Sequence, residues 1–280
     1  MPFSPYRPDL MGTATVNVDR PLVCGEWATL NLTYTAGHFG IDDLGSLKIS
    51  IRSASDETSP QFDDPKAPGY TTITASNGAR LNVSYRKNSN IRPWGNTLHI
   101  QCLNFLSAGD TITVQLGDRS QGSPCLRMQT FREFSHEYRF HVDAFATYDF
   151  VVLPYEQQPK IELIPGLAAR HVAILPTLRT VNDMFALGLK AEDRWGNPTE
   201  ADNASYRLHP SRPVKGLPER ISMADSTEGV LRLDGLNVAS AGELFVEMID
   251  DRGTVVARSN TLRSTDHGEM RHYWSDMHGQ

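Results

Sequence analysis

The sequence predicts an all-β protein made of two antiparallel β-sandwich domains, the second of them immunoglobulin-like. Apolar and polar residues alternate with period two in several short runs, whereas helical periodicity is hard to find. Turn signals such as Asn77-Gly78 and Gly117-Asp118 separate these runs. Many short strands punctuated by turns are typical of antiparallel sandwiches.

Three runs in the first half of the chain predict half-buried strands. Each places its apolar residues at every second position, and therefore on one face of a strand. The apolar positions are Leu30, Leu32 and Tyr34, then Leu47, Ile49 and Ile51, and then Ile112, Val114 and Leu116. We expect these faces to form the core of the first sandwich.

A domain boundary is predicted in residues 153–159, where two prolines flank a polar stretch. Residues 1–156 would form the first sandwich and residues 157–265 the second, with residues 266–280 beginning a further domain. Five strands are predicted in the second sandwich, over residues 171–174, 185–189, 230–233, 244–248 and 254–257. A Gly-Asn-Pro turn within residues 193–198 would end the second of these strands.

Composition excludes several classes of function. Of the 280 residues 39% are hydrophobic and 21% charged, with a mild net charge of −6 and no basic cluster of the kind that nucleic-acid binding needs. No apolar run approaches a membrane span. The three cysteines are too few and too far apart for a disulfide framework, which favours a reducing compartment. We therefore predict a cytoplasmic protein with no nucleic-acid or membrane partner.

Candidate binding features in the sandwiches each have a plainer interpretation. The acidic residues 56–65 offer oxygen ligands for calcium, but a solvated loop is the commoner outcome. An exposed Trp94 would stack on a sugar, although a Trp after a proline turn usually packs. Trp195 is expected to plug one end of its sandwich. The loop 117–124 lacks the Gly-Lys-Ser/Thr ending of a phosphate-binding loop.

No catalytic residues are predicted in the sandwiches, since neither a G-x-S-x-G elbow nor a C-x-x-C pair occurs.

The last residues of the chain, 272–280, do contain a candidate metal-binding pattern. As a strand, residues 272–280 would place Asp276, His278 and Gln280 on one face, with Asp276 and His278 about 6–7 Å apart. A carboxylate and an imidazole at that spacing can meet one metal. The pattern is short, and from the spacing alone a frayed, histidine-containing terminus is the favoured interpretation.

The octet Tyr-Trp-Ser-Asp-Met-His-Gly-Gln at residues 273–280 resembles the sequence that opens the catalytic domain of the DUF3604 family, relatives of PHP metal-dependent phosphoesterases. Upstream segments also resemble the region that precedes this domain in part of the family. They comprise residues 33–37, 39–43, 117–124, 129–131, 193–198 and 258–260. The resemblance covers essentially the whole chain.

The resemblance implies a distorted β/α barrel, absent here beyond its first strand, that holds divalent metal ions. Asp276 and His278 would be early metal ligands. Gln280 stands where a second histidine is usual, and its amide would be the weakest of the three ligands. Zn, Mn or Fe is expected in the full-length parent protein, and no tightly bound metal in this fragment. Cys125 stands where the family pattern has glycine.

The expected function is that of a non-catalytic accessory region of a metal-dependent, phosphoesterase-like hydrolase, truncated before the active site and inactive alone. Its main partner would be the catalytic barrel of the same chain, and oligomer contacts are a further role. The alternative is a stand-alone immunoglobulin-like module that binds a carbohydrate or a protein.

Overall fold

The structure, a computed structural model, describes residues 7–268 and residue 270, and it divides into two compact units between Ile164 and Pro165. The boundary expected after residue 156 lies too early, because the strand Lys160–Ile164 pairs with strands of the first unit. Short 3₁₀ turns occur at Pro8–Leu10, Tyr155–Gln157 and Met223–Asp225. No described helix is long and apolar enough to cross a bilayer.

The first unit is built from short strands throughout its described part. They are β1 (Gly12–Val16), β2 (Leu22–Val23), β3 (Trp27–Ala28), β4 (Leu30–Ala36), β5 (Ser46–Ile51), β6 (Thr71–Ala75), β7 (Leu81–Arg86), β8 (Asn96–Cys102), β9 (Thr111–Leu116), β10 (Leu126–Arg127), β11 (Glu133–Glu137), β12 (Arg139–Asp143), β13 (Val151–Val152) and β14 (Lys160–Ile164). The three strands predicted from alternation correspond to β4, β5 and β9.

Two larger sheets of the first unit form its sandwich. One has the order β1-β4-β9-β6 and the other the order β13-β12-β5-β8-β7, and all their pairings are antiparallel. Smaller sheets, β10-β3 and β11-β14-β2, complete the unit, and β2 pairs with β14 in parallel.

The core of the first unit lies where the two larger sheets bury their apolar faces together. The predicted inward residues of β4, β5 and β9 are all buried in one cluster with residues of β8 and β12. Tyr34 of β4 stacks on Phe140 of β12, with ring centroids 6.5 Å apart. Burial of this apolar surface is the main force that holds the sheets together.

The second unit contains the strands β15 (Arg170–Ile174), β16 (Leu178–Thr180), β17 (Phe185–Glu192), β18 (Ser205–Pro210), β19 (Arg220–Ser222), β20 (Val230–Leu236), β21 (Gly242–Leu244), β22 (Val246–Ile249), β23 (Val255–Arg258) and β24 (Leu262–Thr265). They form the sheets β15-β17-β20, β16-β24-β21 and β19-β18-β22-β23. One core cluster joins β17, β18 and β22 through residues such as Leu189, Leu208 and Met248.

The prediction of an all-β fold with two antiparallel sandwiches is confirmed. One predicted strand of the second unit is split: the run 244–248 breaks at Phe245 into β21 and β22, which belong to different sheets. Leu244 and Val246 are nevertheless both buried. The apolar run 244–248 therefore contributes to two sheets. Period-two alternation alone cannot show that such a run is divided between sheets.

Candidate functional site

The outer face of the five-stranded sheet in the first unit carries a concentration of polar and charged side chains. We use "outer face" for the residues of β7, β8, β5 and β12 that point away from the core. Strand register aligns Ser84, His99, Lys48 and His141 in one row across the sheet. Side chains opposite one another on antiparallel strands lie about 4.5–5.5 Å apart at Cβ, so Lys48 has a histidine on each side.

Lys48 lies at the centre of this row and is half-buried. Its Nζ lies 3.6 Å from the ring centroid of Phe150, a cation–π contact. His99 meets the same ring edge-on, with centroids 6.2 Å apart. Phe150 thus covers one side of the row and fixes the direction of the ammonium group.

Positive charge dominates the electrostatics of the row. Burial lowers the pKa of Lys48, and the carboxylate of Asp143 opposes that change. Burial, followed by the charges of Lys48 and Arg86, lowers the pKa of His99. Burial, with Arg139 and Lys48, lowers the pKa of His141 to about 4. Both histidine pKa values lie below the ordinary 6.5, so both imidazoles are mainly neutral at pH 7.

The Nε2 atoms of both histidines are buried, and neither has a hydrogen-bond partner among the residues described. Buried polar atoms are normally satisfied, so these two nitrogens are among the exceptions in the described part of the chain.

A cavity of about 340 Å³ opens on the outer face at β7 and β8. Its lining includes Lys48, Ser84, Arg86, Thr97 and His99. No described acid forms an ion pair with Lys48 or Arg86. Asp143 acts on Lys48 from a distance, and its own oxygens accept hydrogen bonds from the backbone N–H groups of residues 147 and 148.

Trp94 lies beside the outer face but does not offer a free ring. The guanidinium of Arg139 lies 3.8 Å from its ring centroid and that of Arg52 lies 5.6 Å away. Cation–π stacking of this kind holds the ring in place. The packing interpretation of Trp94 therefore fits the structure better than a sugar-stacking platform.

The acidic loop 56–65 is partly built into the first unit, contrary to the expectation of a simple solvated loop. Asp56 accepts hydrogen bonds from the backbone N–H and hydroxyl of Thr130, at 2.8 Å each. Glu57 is buried and pairs with His136. These two carboxylates are therefore engaged by protein groups.

Asp193 organises the turn that follows β17. One of its carboxylate oxygens accepts from the backbone N–H groups of Trp195 and Asn197, at 2.9 Å each, and the other accepts from Gly166 at 3.0 Å. The turn expected at residues 193–198 is present. Trp195 does not plug the sandwich as predicted, because 36% of it is exposed and it stacks on Arg194.

A polar triad in the second unit was not singled out from the sequence. Nε2 of His171 lies 2.6 Å from a carboxylate oxygen of Asp202, and the hydroxyl of Tyr206 donates to the same oxygen at 3.0 Å. Asp202 and Tyr206 are only four residues apart, but His171 is on another strand. Their proximity depends on strand pairing that the sequence alone does not specify.

The predicted metal-ligand residues Asp276, His278 and Gln280 lie outside the described residues, and the prediction that they bind metal stays open. Within residues 7–268 and at 270, no group of three or more His, Cys, Asp or Glu side chains is placed to hold a metal ion.

No protein-family model matches the chain, and no curated protein matches it. Among solved structures, the chain is similar to the adhesin FdeC of Escherichia coli, at 13% identity over 91% of this chain and 63% of that one, with a TM-score of 0.31. The adhesin InvE of Yersinia pseudotuberculosis matches at 9% identity over 90% and 58%, with a TM-score of 0.28. A marsupial T cell receptor matches at 10% over 92% and 96%, with a TM-score of 0.31.

The chain spans less than two thirds of the length of either adhesin structure. At these TM-scores the likenesses carry no weight for function. The fold assignment rests on the strand pairing and the two buried cores.

Proposed function

We propose that the chain is the non-catalytic, two-sandwich region that precedes the catalytic domain of a metal-dependent hydrolase. The observation that carries this proposal is the octet at residues 273–280, which resembles the first strand of a PHP-like catalytic domain and follows two sandwiches. Asp276 and His278 would then be the first ligands of a metal site that is completed by later strands.

Three of the upstream segments that resemble the DUF3604 family have structural roles, and these roles support a scaffolding function. Residues 33–36 belong to β4, at the centre of the first core. Residues 193–198 form the turn that Asp193 holds together. In loop 117–124, Asp118 accepts hydrogen bonds from Thr72 and Ser120 at 2.8 Å each. All three segments stabilise the sandwiches, as expected of a region that supports a domain elsewhere.

Extending the chain tests the proposal. The protein encoded through and beyond Gln280 would be purified and assayed for hydrolysis of bis(p-nitrophenyl) phosphate with Zn²⁺, Mn²⁺ or Fe²⁺. We expect metal-dependent turnover that Asp276→Asn and His278→Gln each reduce at least 100-fold, because each removes a ligand.

Asp234→Asn is the matched control, since Asp234 is an exposed acid whose partner is Arg232. Downstream sequence without further His, Asp or Glu motifs would contradict the proposal. So would full activity in both ligand variants.

A second candidate function is a stand-alone binding module for a carbohydrate or a protein, and the outer face is the observation that favours it. A glycan array and a pull-down with the 280-residue chain would test this function. Binding that survives substitution of Lys48 and Arg86 would place the recognition surface elsewhere, and no binding in either assay would count against a module of this kind.

A further inference from the structure

The strongest unexplained feature of the molecule is the group of unpaired cations on the outer face. Lys48 and Arg86 both line the cavity of about 340 Å³, and neither forms an ion pair with a described acid. The carboxylate of Asp143 acts on Lys48 and His99 from a distance but pairs with neither cation, so Lys48 and Arg86 leave a net positive potential in the cavity. An anion in the cavity would relieve that potential.

Lys48 and Arg86 both act electrostatically on His99, so their charges meet in one part of the cavity. His99 stands between Lys48 and Arg86 in the cavity lining; burial is the main cause that lowers its pKa, the charges of Lys48 and Arg86 lower it further, and Asp143 opposes them. Ser84 lies opposite His99 in the strand ladder and also lines the cavity. An ammonium, a guanidinium and a hydroxyl thus face the same space.

We propose that this cavity binds a tetrahedral oxyanion, the phosphate or sulfate group of a small molecule, with Lys48 and Arg86 as its cationic contacts. A lysine ammonium has three donors and an arginine guanidinium has five. The three or four oxygens of a tetrahedral group can accept from this donor set and from Ser84 together, whereas a carboxylate has only two oxygens. Arginine is especially suited to bidentate contact with phosphate.

The size of the cavity limits the ligand. Its volume lies near the lower end of the range for small-molecule pockets, roughly 300–1,000 Å³. Phe150, which holds the ammonium of Lys48 in place, supplies an apolar wall beside the row. The cavity therefore has room for a small ester.

Titration of the ¹⁵N-labelled 280-residue chain with methyl phosphate and methyl sulfate, at constant ionic strength, tests the proposal by NMR. We expect saturable shifts of the backbone amides of residues 48, 84, 86, 97 and 99. Lys48→Gln and Arg86→Gln should each weaken binding at least tenfold. Saturation by only one of the two esters supports the site and identifies its ligand.

Lys87→Gln is the matched control, because it removes the same charge one position from Arg86 but outside the cavity lining. It should change affinity less than twofold. A loss in Lys87→Gln equal to that in Arg86→Gln would indicate non-specific charge attraction and overturn the proposal. Shifts that do not saturate, or acetate binding as tightly as both esters, would also overturn it. Retained dispersion of the core amides checks that each variant is folded.

Discussion

Nε2 of His136 lies 2.8 Å from a carboxylate oxygen of Glu57, with only 2% and 5% of the two side chains exposed. Nδ1 of the same imidazole lies 3.4 Å from Glu133. Burial alone would lower the pKa of His136, but the two carboxylates more than compensate and raise it to about 9. The imidazole is therefore charged at neutral pH and donates from both nitrogens.

This raised pKa predicts that the first sandwich loses stability at alkaline pH. The folded pKa of about 9 lies above the unfolded value of 6.5, so the contribution is complete below pH 6.5 and is lost as pH rises toward 9. The full effect is about 3 kcal/mol. Urea unfolding between pH 6 and 9.5, followed by hydrogen exchange in β11 and β14, would measure it.

His136→Gln should flatten this pH dependence, since the imidazole that titrates between pH 6.5 and 9 is removed. His38→Gln is the control, because His38 is an exposed histidine of the same unit. An unchanged pH profile in His136→Gln would show that the loss originates elsewhere.

The backbone at Cys125 predicts an unusual order of stability among substitutions. Its φ of 92° lies in the region that favours glycine, and Cys125 stands where the resemblance expects glycine. Cys125→Gly relieves strain on the order of 1 kcal/mol but loses a buried side chain, whereas Cys125→Ala loses the sulfur and keeps the strain. Chemical denaturation should therefore find the glycine variant more stable than the alanine variant by about 1 kcal/mol. The reverse order would mean that side-chain packing outweighs the strain.

Replacement of Asp193 is expected to lower the free energy of unfolding of the second sandwich substantially. Asp193 is only 1% exposed and accepts from three backbone N–H groups. Asp193→Ala leaves these donors without partners and should destabilise the unit by about 3 kcal/mol. Asp193→Asn keeps part of the acceptor set and should cost roughly half as much. Thermal unfolding of both would be compared with Asp234→Ala, for which we expect a change within about 0.5 kcal/mol.

The second sandwich should also be sensitive to acid. Burial alone would raise the pKa of Asp202, but hydrogen bonds from His171, Ala204 and Tyr206 outweigh burial and lower it. A lowered folded pKa gives stability that is present above the unfolded value of 3.8 and lost as pH falls through the folded one. Unfolding midpoints between pH 5 and 2 would measure this loss. Asp202→Asn should reduce the slope, and an unchanged slope would exclude this carboxylate as the cause.

The three cysteines predict a simple chemical result. Cys24, Cys102 and Cys125 are all buried and none is in a disulfide bond, and burial raises the pKa of Cys102. Because burial keeps the reagent away from the sulfur atoms, all three thiols should react slowly with Ellman's reagent in the native protein. In guanidinium chloride, which unfolds the protein, all three thiols should react rapidly. Fast native labelling of any thiol would indicate local opening at that strand or loop.

Much of the fold could be predicted because period-two alternation reports which side of a strand is buried. Tyr34, Ile49 and Val114 were all assigned to the core from this pattern, and all are buried. Strands such as β10 and β13, of two residues each, are too short to show a period. The break at Phe245 depends on which sheets its two flanking strands join, which local sequence does not encode.

The candidate site could not be predicted in the same way. His99 and Lys48 lie opposite each other only because β5 and β8 pair in one particular register. In the sequence, His99 and Lys48 each look like an ordinary polar residue on a half-exposed strand. The long-range register of the sheet brings Lys48 and Arg86 together. This register cannot be deduced from a single sequence.

The parallel pairing of β2 with β14 has a consequence for synthesis on the ribosome. Leu22 and Val23 find their partners only at Leu163 and Ile164, and the backbone N–H of Cys24 donates to Ile164 at 2.8 Å. The first sandwich therefore cannot be completed until nearly all of its chain has left the exit tunnel. Contacts of such long sequence separation slow folding and prolong the exposure of unpaired strand edges. The nascent chain before residue 160 is accordingly the species that most needs protection from aggregation.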